Sequence, residues 1–417
     1  MRRRAAAAGW IAALTVAAPV AQAQEDQRVD PLVLEQAWRA ARDRFYDRGY
    51  NGVDWEAALA RHRPAAADAR SRAELHAVVE SMLGELGASH AAVLERDVYA
   101  LRVAPEVRGT PVLQYGLTLV EGEGGLFVSE VLVGGPAEAA GVRRGDRIVA
   151  IDGEPPGPGA LWAGPREAGL GGSRPWFLRP PEAAEGDEPV RRLDLERFRR
   201  EDGRCSVALR RAPWNEVEAS RASARVVRRG GVAIGVMRLY HLLSEEPVKA
   251  LEAFLTGEQL QAAEAFVLDL RGRGGIPAAA ERVLGAFDVQ ARGVPLWSRP
   301  AVAVIDGHTR SAKELLAHRW RERRIGPLVG ATTRGAVLGA TFVALRDGAH
   351  LMLPVMDMRA TTGGVVLEGK GVRPDVPVDD VALPYCEGRD PILERAFEVA
   401  LDLALARRRR GRDHGWR

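Results

Sequence analysis

From Gly230 onward, short apolar runs alternate with stretches of helical periodicity, which confines this part of the chain to a layered α/β core. Gly231–Leu239, Ala265–Leu270 and Ala301–Ile305 read as strands. Ala265–Leu270 is apolar throughout except for Asp269, the pattern of a strand covered on both faces. Helices are expected over Glu246–Leu255, Pro277–Phe287 and from about Ser311 to Arg323, with Pro277 near the first position of its helix. Leu328–Gly330 and Ala340–Leu345 read as further strands.

Upstream, Val29 to about Ala104 reads as mostly helical. Ser71-Arg-Ala-Glu74 is a capping box, and Leu75, Val78, Val79, Met82, Leu83 and Leu86 recur at helical spacing behind it. Gly87 is a natural stop, so Ser89 and His90 are expected on an anchored turn just past a helix end. Tyr115–Pro155 reads as short strands and turns: Leu117–Val120, Leu126–Val133 and Arg147–Ile151, with a short helix from Gly135-Pro136-Ala137 to Gly141. Glu154 to about Arg200 is rich in Gly, Pro and charge and is expected to be a long insertion or linker. Ser206–Leu209 would resume the same small domain, and Arg407–Arg410 reads as a solvated helix end. The expected organisation is a helical region over 24–105, a small β domain over 106–215, an α/β core over 216–385, and a C-terminal helix with a basic tail over 386–417.

Composition narrows the function classes. Arg2–Arg4, the apolar stretch Ala5–Ala18 and Pro19-Val-Ala-Gln-Ala23 form an export signal expected to be cut after Ala23, placing the protein in a bacterial periplasm or outside the cell. Removing three Arg leaves 59 − 3 = 56 basic against 56 acidic residues, a neutral chain with no charge bias toward nucleic acid. No later apolar run reaches about 18 residues, so no membrane span is expected after the signal is removed. Cys205 and Cys386 are compatible with one disulfide or with two free thiols. They are too few for a thiol-based metal site, and no metal or cofactor is expected; self-association is left open.

Two loops stand at the carboxyl ends of expected strands, where open α/β sheets place their sites. Arg271-Gly-Arg-Gly-Gly275 offers bare backbone N–H groups but lacks the spacing of a phosphate loop. In Gly307-His-Thr-Arg-Ser311-Ala-Lys-Glu314, Ser311 sits where strand becomes helix. It is either a plain N-cap or a nucleophile, with the Ala312 N–H aimed at an oxyanion. Lys313 is two residues on and points to another face of the helix, while His308, His318 and His90 are the other candidate bases.

The ordered segments resemble the carboxyl-terminal processing (tail-specific) serine proteases, in the branch similar to the core of tricorn protease. Arg42-Asp-Arg-Phe-Tyr-Asp47, Gly52-Val-Asp-Trp55 and Gly84-Glu-Leu-Gly-Ala-Ser-His90 look like its helical part. Tyr115-Gly-Leu-Thr-Leu119, Gly135-Pro-Ala137, Ala140-Gly-Val142, Gly145-Asp-Arg-Ile148 and Ile151-Asp-Gly153 look like a PDZ domain. Val267–Gly275, Ser311–Glu314, Gly330–Gly335 and Glu368–Asp375 look like its core motifs. The resemblance implies a ClpP/crotonase-like layered α/β protease core with an N-terminal helical region and an inserted PDZ-like domain. It implies Ser311 as nucleophile, His90 as general base, and Ser89 and Glu368 behind the imidazole. Ala312, Gly274 and Gly275 would form the oxyanion hole, and Gly116 and Leu117 would hold substrate. The partners implied are protein or peptide segments. Three features depart from the family pattern: Arg273 stands where an Asn is common, the insertion between Glu154 and Arg200 is longer than usual, and Gly335 is followed by Ala336 rather than by the lysine base of the other branch. A catalytically inactive peptide- or ligand-binding protein on the same fold is the alternative, and a scaffold in which only the PDZ-like unit matters is a third.

Overall fold

The structure is a computed structural model that describes residues 29–108, 110–157, 159–165, 174–180, 190–197, 203–288, 294–381, 383 and 386–413. The expected export signal lies outside the described residues.

The chain opens with α1 (Leu32–Arg44), α2 (Trp55–Asp68) and α3 (Arg72–Gly84). Asp54 and Ser71 cap α2 and α3 by accepting from Ala57 N and Glu74 N, as the sequence pattern requires. Past α3 comes a strand too short to be read from sequence, β1 (Ala92–Leu94), then a helical stretch whose α-helical parts are α4 (Arg96–Val98) and α5 (Ala104–Arg108).

β2 (Val112–Gln114) leads into β3 (Leu117–Gly122), β4 (Gly125–Val131), α6 (Pro136–Ala139), β5 (Arg147–Ile151), β6 (Leu161–Ala163), β7 (Pro175–Leu178), β8 (Arg191–Glu196), β9 (Arg204–Leu209) and β10 (Ala212–Trp214). The small domain is one seven-stranded sheet in the order β6-β7-β3-β4-β5-β8-β9. β2 pairs with β10, so the chain enters and leaves this unit through one two-stranded ribbon. Of the two readings of 154–200, insertion or linker, the linker is set aside, because the described residues of that stretch supply β6, β7 and β8. Leu193 and Leu195 alternate with polar residues on β8 and pack into the domain core, an order that Pro, Gly and charge obscured.

The core follows as α7 (Glu216–Ser223), β11 (Arg225–Arg229), β12 (Val232–Arg238), α8 (Glu246–Thr256), β13 (Ala265–Asp269), α9 (Pro277–Phe287), β14 (Ala301–Ile305), α10 (Ala312–Glu322) and β15 (Leu328–Gly330). β16 (Gly339–Ala344), β17 (His350–Met356), β18 (Val376–Pro377) and α11 (Pro391–Asp413) complete it. Six strands form a sheet in the order β11-β12-β13-β14-β15-β18, parallel apart from β11. Successive side chains leave a strand on opposite faces. Phe266, Leu268 and Ile305 therefore pack with α8, α9 and α10, while Val267, Val302 and Val304 pack against Ile392, Ala396 and Phe397 of α11. Both faces are covered, which explains the unbroken apolar runs.

A second sheet, β1-β17-β16, carries α1–α3 on Leu351 and Leu353. Ala92 pairs with Met352, so the turn ahead of β1 is delivered to the downstream half of the chain.

Candidate active site

Asp269, the one charge in an apolar strand, has a structural role. Its carboxylate accepts from Arg271 N (3.0 Å) and Arg271 Nη2 (2.7 Å), and the same guanidinium reaches Asp390 (2.6 Å). Arg271 thus fixes the start of the glycine loop. Further on, Leu242 N donates to Gly274 O (2.7 Å) and Ile276 N to Leu242 O (2.9 Å). A Cβ on Gly275 would lie 2.0 Å from Leu242 C and O, and one on Gly274 would lie 2.4 Å from Ser311 Cβ. Only glycine lets this loop run so close to both neighbours, which answers why the sequence places two glycines there.

Ser311 lies on the turn into α10 with φ 56° and ψ −130°, a conformation that non-glycine residues rarely hold. Its N–H donates to Ala336 O (2.7 Å) and to Glu314 Oε2 (3.1 Å). Glu314 also accepts from Thr333 Oγ1 (2.6 Å), Gly335 N (2.7 Å) and Ala336 N (2.8 Å). Burial raises its pKa, against the pull of these donors. Glu314 therefore holds the strained turn against residues 333–336. The sequence reading assigned it no role, although Ser311 and Glu314 have capping-box spacing. Ala312 is buried at the first position of α10, and its N–H finds no backbone acceptor among the described residues.

His90 also has positive φ, 59°, and is buried beside Ser89 at the end of the α3 turn. The Ser89 hydroxyl donates to Glu368 Oε2 (3.1 Å), and Ser89 Oγ lies 2.8 Å from His90 Nδ1. Since the hydroxyl's one proton goes to Glu368, Nδ1 must be the donor to Ser89, which leaves the lone pair on Nε2. Glu368 also accepts from Ser89 N (2.8 Å) and Val337 N (2.8 Å). Burial, and then the Arg310 guanidinium, holds the imidazole pKa well below its ordinary value. His90 is therefore neutral at ordinary pH.

His90, Ser89 and Glu368 form one hydrogen-bonded row. Ser311 is tied to it through the backbone, because Ala336 O takes the Ser311 N–H while the next residue, Val337, donates to Glu368. Among the described residues no hydrogen bond joins Ser311 Oγ to His90. The other candidate bases lie elsewhere. His308 is exposed, His318 pairs with Glu322 (3.3 Å), and Lys313 Nζ is fully buried against the carbonyls of Leu239, Tyr240 (3.0 Å) and Arg271 (3.0 Å). Cys205 and Cys386 are both free, and no group of His, Cys, Asp and Glu among the described residues could hold a metal ion.

Arg273 reaches Glu106 (2.6 Å) and Glu216 (3.0 Å), and Arg102 reaches Glu216 (3.4 Å). Both carboxylates are buried. Burial pushes Glu106 up to about 7 despite Arg273. For Glu216, burial acts upward too, but Arg273 and Arg102 outweigh it and hold the group at about 2. Sequence reading singled out Arg273 but not its two partners, which come from helices flanking the small domain.

The edge expected to receive substrate at Gly116 and Leu117 is only partly open, because Leu119 and Val120 of β3 already pair with Trp176 and Pro175 of β7. The β7 ladder stops short of Gly116 and Leu117, and sequence reading did not place β7 beside them. The missed signal was the aromatic run Trp176-Phe177.

Comparison with known proteins bears out the resemblance. Residues 32–84 match the family model for the tricorn protease C1 domain, 127–159 a PDZ domain, and 281–378 Peptidase family S41. Tricorn protease homolog 1 of Streptomyces coelicolor is 27% identical over 399 residues, covering 90% of this chain and 36% of the relative. A carboxyl-terminal-processing protease of Synechocystis sp. is 24% identical over 393 residues, covering 89% of this chain and 86% of the relative. The chain spans about a third of the length of the Streptomyces relatives it matches. Among solved structures, tricorn protease superposes with TM-score 0.51 at 17% identity (90% of this chain, 36% of that one), and mature CPAF with TM-score 0.51 at 13% identity (90% and 98%). These two likenesses speak for the fold alone.

Proposed function

With its tricorn C1, PDZ and S41 segments in order, the chain is a relative of the tricorn and carboxyl-terminal processing peptidases, and we propose that it is a serine endopeptidase acting on extended protein segments. The observation that carries this reading is the row His90–Ser89–Glu368, which leaves the lone pair on Nε2 of a buried, neutral imidazole. Ser311 Oγ passes its proton to His90 Nε2 as it attacks the peptide carbonyl carbon. The N–H groups of Ala312 and of the Gly274-Gly275 loop stabilise the resulting oxyanion. The imidazolium, supported by Ser89 and Glu368, then gives its proton to the leaving amine. Water hydrolyses the acyl-serine by the same route in reverse. The 106–215 unit helps to hold the substrate, and the chain acts after export, freed of residues 1–23.

Casein degradation by purified protein tests the activity, with Ser311→Ala and His90→Ala beside it. Loss of cleavage in both variants is expected, and wild-type cleavage in either one refutes the assignment. The missing Ser311–His90 hydrogen bond favours a second reading, a binding protein on this fold, and complete inertness of the wild-type chain toward unfolded substrates would select it.

A further inference from the structure

Without β6 and β7, the seven-stranded sheet would end at β3, directly after Gly116. PDZ domains take up an extended peptide as an added strand on such an edge. Here Leu119 pairs with Trp176 and Val120 with Pro175, and β7 pairs onward with β6 through Leu161–Ala163. The added strand belongs to the chain itself.

The occupant fits imperfectly. The ladder holds only two residue pairs, and at one of them Pro175 has no N–H to give. The Trp176 indole N–H is buried without an acceptor among the described residues. Contacts from outside the sheet hold β7 in place: Arg174 bonds Glu80 of α3 (2.8 Å), and the Arg102 guanidinium lies 4.3 Å from the Phe177 ring centre.

We infer that β7 is an internal occupant of the peptide edge of the 106–215 unit, and that an extended segment with aromatic side chains and a full set of backbone N–H groups displaces it. This rests on reading that unit as a peptide-pairing module and is independent of the chemistry at Ser311. Displacement would also be felt in the core, because Arg102 shares Glu216 with Arg273 of the glycine loop.

The test uses the full chain carrying Ser311→Ala, so that binding is read without cleavage. The probe is a fluorescein-labelled peptide copying residues 174–179 with alanine in place of its one proline, and fluorescence anisotropy gives its Kd. Trp176→Gly, which weakens the occupant, is expected to tighten binding at least fivefold. Val120→Cys with Pro175→Cys places thiols on directly opposed residues, where a disulfide can close. Its oxidised form is expected to bind at least tenfold more weakly than its reduced form, and the parent protein should not respond to the same redox change. Equal affinity in the oxidised, reduced and Trp176→Gly proteins overturns the inference, as does the absence of probe binding to all of them.

Discussion

Glu106→Gln provides a quantitative test of the buried cluster beneath the glycine loop. Glu106 ionises near 4.5 in a free chain but only at about 7 in the fold, because it is buried. Above pH 7 the ionised carboxylate destabilises the fold. That penalty is relieved as pH falls through 7 and is gone below 4.5, since the folded state takes up the proton first. Between about pH 7.5 and pH 5 the relief amounts to about 2 kcal/mol. His241 acts in the opposite direction. Burial, then Arg273, lowers it from 6.5 to about 3, so the unfolded chain protonates first and stability falls by about 2 kcal/mol over the same range. In the wild type the two nearly cancel. Glutamine cannot titrate, so the variant should lose about 2 kcal/mol relative to wild type on going from about pH 7.5 to pH 5. Urea denaturation of both proteins at matched pH values measures this difference directly, and a pH-independent difference refutes the assignment of a raised Glu106 pKa.

Other consequences follow from the same geometry. Gly275→Ala places a Cβ 2.0 Å from Leu242 backbone atoms, so the loop must move; phosphonate labelling of Ser311 should slow about 100-fold while the melting temperature reports how much of the fold survives. Glu368→Gln leaves one good acceptor for three donors, and kcat on casein should drop about 100-fold or more with KM little changed. Lys313→Met removes a buried donor from three carbonyls and should cost about 2–4 kcal/mol in chemical denaturation. Because His90 titrates well below 6.5, the acid limb of a pH–kcat/KM profile should fall below pH 6.5, and a limb above that value would contradict the buried, neutral imidazole.

The core was legible because parallel strands buried on both faces must be apolar throughout, as β13 and β14 are, and because the helices between them carry their periodicity openly. The turn at Ser89-His90 could be placed from the capping box and Gly87 alone. Other features depended on pairing across long separations. β1 has three residues and forms only because β17 lies beside it. β6 and β7 sit in a stretch whose Gly, Pro and charge suggest a linker, and only their aromatic side chains hint at burial. Glu106, Glu216 and Glu314 are ordinary helix carboxylates in the sequence. Their roles arise from Arg273 and from residues 333–336, which the fold brings to them.

The central claim is that the hydroxyl on the strained α10 turn is the nucleophile and takes its base from the α3 turn. Mass spectrometry of protein treated with a serine-reactive fluorophosphonate locates the adduct. A single adduct on the peptide containing Ser311, lost in His90→Gln although that variant stays folded, is the predicted result. An adduct on another serine, or undiminished labelling of Ser311 in His90→Gln, would contradict it.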